Sequence, residues 1–251
     1  MRTIFTIIIA STLLNIANAQ IGEWYSTSGW EMPFQFANVN ANYVFNTSTG
    51  EKIESVDSKN IMRWAPVLNL NFYANYDFSK SVGMFTGFTL RNVGFITDLQ
   101  STNDTIPIYH SATKVRKKYR TYNIGVPLGL KFGKLNGFFF YAGFQVEYAF
   151  NYKEKTFVDD KKEERFTVWF GDRAEQFPMS LFAGFQTKHG LNVKFQYYLN
   201  NFHNKDFYSS AEQAKIYNGF DANVFYFSLN FAVFKNTDLY YKEYKEEDGA
   251  L

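Results

Sequence analysis

The chain has 251 residues, with 26 Lys and Arg against 24 Asp and Glu, three His and no Cys. That balance excludes a strongly basic nucleic-acid binder, and the lack of cysteine excludes thiol catalysis, a disulfide framework and cysteine-held zinc. Aromatic residues make up 20% of the chain, 29 of them Phe and 18 Tyr, an unusual load for a soluble domain.

Residues 1–19 read as an export signal. Arg2 supplies a positive start, residues 4–14 a short apolar run, and Ala17, Asn18 and Ala19 a small-x-small cleavage pattern. The run falls short of the roughly 20 apolar residues a spanning helix needs. Cleavage is expected after Ala19, leaving Gln20 as the first mature residue.

From there the chain alternates with period two, which sends successive side chains to opposite faces of a strand. Eight strands are predicted near residues 33–46, 61–79, 82–97, 115–132, 137–153, 175–187, 190–200 and 220–234. The apolar phase of the first shifts near Phe36 and Ala37, which predicts a bulge. The fourth is the clearest, with Tyr122, Ile124, Val126, Leu128, Leu130 and Phe132 against Thr121, Asn123, Gly125, Pro127, Gly129 and Lys131. Short connections at 79–81, 133–136 and 188–189 alternate with long polar ones at 47–60, 98–114, 154–174 and 201–219. The third long one, KEKTFVDDKKEERF, has mixed charge and reads as a solvated hairpin extension.

Short turns at one end and long loops at the other predict an all-β, eight-stranded antiparallel up-and-down transmembrane β-barrel, with the long loops outside the cell. A soluble lipocalin-like barrel would put its apolar face inside. Here the apolar sets are uniformly bulky, as a lipid-facing band requires. The opposite sets mix Gly, Asn, Gln, Thr, Lys and Glu, which suits a narrow filled lumen and makes a poor soluble core. The predicted divisions are the signal (1–19), the barrel (20–234) and a charged periplasmic tail (235–251) carrying Tyr240, Tyr241 and Tyr244.

Residues 121–133, TYNIGVPLGLKFG, then a short turn and FFFYAGFQVEYAF at 138–150, resemble the central hairpin of porin-family outer-membrane β-barrel proteins, the small OmpA-like and PorT-like barrels. The resemblance covers the mature chain by strand pattern and residues 121–150 by motif. It implies a barrel inserted in the outer membrane by the assembly machinery, and no single activity, since members include pores, anchors, adhesins and parts of secretion machines. The chain departs from the family pattern in its charged tail and in carrying no peptidoglycan-binding domain after the barrel.

Few residues suggest chemistry. His110, His189 and His203 fall in predicted loops or turns without metal-ligand spacing. His110 with Ser111 is on the correct side for a lipid-modifying hydrolase, but no strand holds either against an acceptor. The strand glycines form no phosphate loop. No catalytic site, cofactor or metal is expected. Arg91 and Glu147 both fall on the lumen face at comparable heights, which predicts an ion pair that closes the lumen. A second layer of Asp77, Lys131 and Lys194 is expected toward the periplasm. Lys114, Arg116, Lys117, Lys118 and Arg120 form the densest basic cluster, placed to face lipopolysaccharide phosphates at the outer rim. The leading expectation is a structural or interaction protein, a subunit of an envelope complex contacting outer-membrane lipid, lipopolysaccharide and a protein partner. A small porin or channel is the alternative, and an outer-membrane lipid-modifying enzyme a third.

Overall fold

A computed structural model describes residue 22 and residues 24–41, 44–45, 52–53, 57–100, 115–188, 190–210 and 215–232. The export signal, His110, Ser111, Lys114, His189 and the charged tail lie outside the described residues. The elements are β1 (Trp24–Ala41), β2 (Val44–Phe45), β3 (Lys52–Ile53), β4 (Asp57–Ile61), β5 (Arg63–Trp64), β6 (Leu70–Asp77), β7 (Val82–Gln100), β8 (Val115–Gly133), β9 (Phe139–Val158), β10 (Lys161–Trp169), β11 (Met179–Gln186), β12 (Asn192–Tyr198) and β13 (Phe220–Ala232).

Eight of these staves close an antiparallel ring in the order β1, β6, β7, β8, β9, β11, β12, β13, and β13 returns to β1 from Gly29↔Ala232 to Ala41↔Phe220. Closure leaves no open edge in the ring, so backbone donors and acceptors are paired within the wall, as a lipid-embedded sheet requires. β4 and β5 continue the stave of β6 upward, pairing with β7 and β1 respectively. β10 continues the stave of β11 and forms a hairpin with β9. The expected solvated extension is therefore a two-stranded rise above the ring. β2 and β3 make a small separate hairpin.

The two faces sort as the alternation predicts. Leu128, Phe144 and Phe195 are 40%, 48% and 37% exposed on the outside, whereas Asn123, Gln145 and Glu147 are buried inside. On β8 the outward apolar run from Tyr122 to Phe132 covers ten steps. At about 3.3 Å each and a tilt of about 40° that makes an apolar band about 25 Å tall. Small lumen residues let aromatics cross the interior: a Cβ on Gly129 would collide with the Phe85 ring.

Two strand expectations need correction. β1 begins at Trp24 rather than near residue 33, because its polar start is held by pairing with β6 from Trp24↔Tyr76 to Trp30↔Leu70. Its register with β13 also runs unbroken from Gly29 to Ala41, without the bulge expected near Phe36. Glu31, Gln35 and Ala37 all point inward and Val39 joins the inner core, while Asn38 is exposed. At the end that carries the long connections the lumen holds aromatics, and the outward face is polar. The polarity of the faces exchanges there while the geometry does not.

Candidate functional site: a filled lumen and a basic outer wall

At mid-height the lumen holds a charge network built from six staves. Glu31 of β1, wholly buried, forms ion pairs with Arg91 of β7 and with Lys194 of β12, whose Nζ is 2.8 Å from Glu31 Oε1. Ser228 of β13 donates its hydroxyl to the same carboxylate. Glu147 of β9 accepts from Asn123 Nδ2 and Gln145 Nε2, each at 2.6 Å, and from the Tyr198 hydroxyl at 3.0 Å. Arg91 and Lys194 lie within Coulombic reach of Glu147. The expectation named Glu147 as the partner of Arg91. The carboxylate that bridges Arg91 is Glu31, which lies on a stretch of β1 whose face was not assigned from the sequence.

Below this layer, Phe85, Tyr141 and Phe182 cross the interior with ring centroids 5.8 to 6.2 Å apart. Beside them lies a cavity of about 70 Å³ lined by Asn71, Asn75, Lys131 and Lys194, room for a few waters. Lys131 Nζ sits 2.5 Å from Asp77 Oδ1 and donates to the Tyr25 hydroxyl at 2.8 Å. The expected lower layer thus contains Asp77 and Lys131, but Lys194 belongs to the Glu31 network above.

The third nearest the long connections is closed by aromatics and a folded-in loop. Phe202 N donates to Ala222 O at 2.8 Å, Asn204 N donates to Arg173 O at 3.0 Å, and His203 bridges to Ala174. His203 is 1% exposed, stacked on Tyr217 at 4.2 Å and ringed by Phe95, Tyr119, Tyr152 and Phe202. Its Nε2 lies 3.3 Å from the Tyr152 hydroxyl. Burial first, then the charges of Lys117 and Arg173, hold its pKa down at about 3, so the ring is neutral at ordinary pH. The sequence suggested a solvated loop histidine. The available signal was the interleaving of Phe202, Phe207 and Tyr217 through that loop, which marks it as a packed cap. No group of three or more His, Cys, Asp or Glu among the described residues is placed to hold a metal.

The basic cluster divides. Lys114 lies outside the described residues. Arg116 is held by Asp98, Nε to Oδ1 at 2.7 Å, and the hydrogen bond to that carboxylate raises its pKa. Lys117 turns to the inner face, 3.4 Å from Glu154 Oε1. Lys118 and Arg120 remain on the outer wall, where Lys153, Lys155 and Arg165 of β9 and β10 join them by ladder pairing. Those three were missed because cross-strand neighbours are distant in sequence.

No protein-family model and no curated protein match the chain. Among solved structures it is similar to Ail, the attachment invasion locus protein of Yersinia pestis, at 10% identity and TM-score 0.33, over 84% of this chain and all of that one. Ail in complex with the heparin analogue sucrose octasulfate matches at 12% identity and TM-score 0.33, over 82% of this chain and 99% of that one. The outer membrane protein OprG of Pseudomonas aeruginosa matches at 12% identity and TM-score 0.36, over 86% of this chain and 98% of that one.

Proposed function

We propose that the chain is an outer-membrane barrel with a structural or interaction role, a subunit of an envelope complex, and that it does not act as an open pore. The observation that carries this reading is the filled lumen: the His203 cap, the Glu31–Arg91–Lys194 network and the Phe85–Tyr141–Phe182 cluster lie one below another. An eight-stranded interior is narrow enough for side chains to fill. The export signal and the OmpA-like and PorT-like resemblance support an outer-membrane address, with the long connections outside and residues 235–251 in the periplasm. The hairpin of β9 and β10 offers a surface above the membrane for a partner.

Purified full-length protein in planar bilayers is expected to show no stable single-channel conductance. A stable open conductance in the wild type would replace this reading by the channel. Pull-down from native outer membranes is expected to recover a stoichiometric protein partner.

A further inference from the structure

The outward face of β8, β9 and β10 carries five cations at neighbouring ladder positions. Arg120 stands opposite Lys153; one row higher, Lys118 stands opposite Lys155, which faces Arg165. The remaining ladder partners in these rows are Gly94, Ile96 and Thr167, so no acid interleaves with the cations there. Like charges directly opposite one another destabilise a sheet. The repulsion is felt at Lys153, whose ammonium is held below its ordinary pKa by desolvation first, then by Arg165, Arg120, Lys155 and Lys162. Lys118 is lowered in the same way, by desolvation and then by Arg116 and Lys155. Arg120 Nε is buried with no hydrogen-bond partner among the described residues. Asp98 lies within Coulombic reach of Lys118, and among the described residues no ion pair joins any of the five cations to an acid.

Their height indicates which anion. Directly beneath them Tyr122, Phe150 and Trp169 stack in a row at 6.3 and 6.1 Å, with Trp169 58% exposed. This row is the upper edge of the apolar band, where aromatic girdles meet headgroups. The Arg120 guanidinium lies over the Tyr122 ring at 4.0 Å, which puts the first cationic row immediately above that edge. Rows about 7 Å apart on strands about 5 Å apart make a patch that a multiply phosphorylated headgroup can span. We propose that this belt binds phosphate groups of outer-leaflet lipid headgroups from the side, with Arg120, Lys153 and Lys155 at its centre. The proposal rests on the outer-membrane reading above. A soluble polyanion would approach from the loops, whereas this wall faces sideways along the membrane plane.

The test uses the full-length protein folded in phosphatidylcholine nanodiscs, titrated with intact lipopolysaccharide, enzymatically dephosphorylated lipopolysaccharide, or heparin. The wild type is expected to retain the intact lipid preferentially. Combining Arg120→Gln, Lys153→Gln and Lys155→Gln should weaken that retention about 100-fold, since each cation near an anionic surface contributes about a factor of five. Combining Arg120→Lys, Lys153→Arg and Lys155→Arg, which keeps the charge, should retain binding and shows that the wall still folds. Equal retention of phosphorylated and dephosphorylated lipid, or an unaffected glutamine variant, overturns the proposal. Heparin binding as tight as the lipid also overturns it, in favour of a soluble polyanion. A barrel that inserts but shows no phosphate dependence sinks the proposal alone. A chain that fails to insert into any disc sinks the outer-membrane reading as well.

Discussion

Glu31 is the residue on which the lumen charges converge. Removing one member of a buried ion network leaves the others uncompensated, at a cost of about 3–5 kcal/mol. Glu31→Ala strands both Arg91 and Lys194. Glu147→Ala instead removes a carboxylate held by Asn123, Gln145 and Tyr198, and leaves Glu31 on the cations. Glu31→Ala is therefore expected to lower the urea midpoint of the folded barrel more than Glu147→Ala; the opposite order would move the centre of the network to Glu147. His203 gives a second prediction. Its pKa falls from an ordinary value near 6.5 to about 3 in the folded cap, so the unfolded loop binds a proton more readily than the folded one. The stabilisation is complete above about pH 6.5 and declines as the pH falls toward 3. At pH 4.5 the cap should be weakened by about 2–3 kcal/mol. Tyr152 of β9, Tyr217 of the loop, Lys117 of β8 and Arg173 surround the ring, and the two cations add to the penalty of charging it. Hydrogen-exchange protection factors at residues 202–204, referred to the slower intrinsic exchange at each pH, should fall on acidification, and His203→Phe should flatten that dependence. An equal loss of protection in the variant would assign the effect to another group.

β8 shows how one strand meets three environments. Its lower and middle part puts Leu128 on the exposed outward face and Asn123 in the lumen, and its upper part carries Lys118 and Arg120 outside with Tyr119 inside. Leu128→Arg places a charge near the middle of the apolar band and is expected to cost about 2–4 kcal/mol of barrel stability. The same replacement at Lys118 should be nearly neutral. Folding titrations of the two variants in phospholipid vesicles would check this, and a harmless Leu128→Arg would invert the assignment of faces. The strand also shows why the basic run in the sequence was an incomplete guide. Alternation sends Lys117 inward to Glu154, while pairing brings in Lys153, Lys155 and Arg165 from β9 and β10.

At the scale of the whole molecule, three long strands, β7, β8 and β9, have 19, 19 and 20 residues, about twice what a tilted span needs. They rise on the side where the long connections lie, so the barrel has one short rim and one tall one. If the tall rim faces the medium, protease added to intact cells should cut near residues 161–165, which are exposed, and spare the 133–137 turn. Cleavage at that turn in intact cells would reverse the orientation. The tall rim also carries the cap over the lumen, so closure and external presentation come from the same extended strands.

Period-two alternation was enough to read the eight staves, the antiparallel order and the short turns, because each depends on residues close together in sequence. Which face points outward needed the bulk of the apolar sets and the polarity of the opposite ones as well. Alternation determined equally that Arg91, Asp77, Lys131 and Glu147 point inward, since inward direction follows from parity along a strand. Which inward charges meet was decided only by the tertiary structure. Partnership depends on ring closure and stagger, and these bring Glu31 of the first stave to Lys194, 163 positions away in the chain. The phase change near Phe36 was misread as a bulge for a related reason: polarity reports the surroundings of a side chain, and those invert where the aromatic cap fills the lumen. His203 was hidden by the same limit, because only the folded barrel mouth supplies the aromatic cage that turns a polar loop into part of the core.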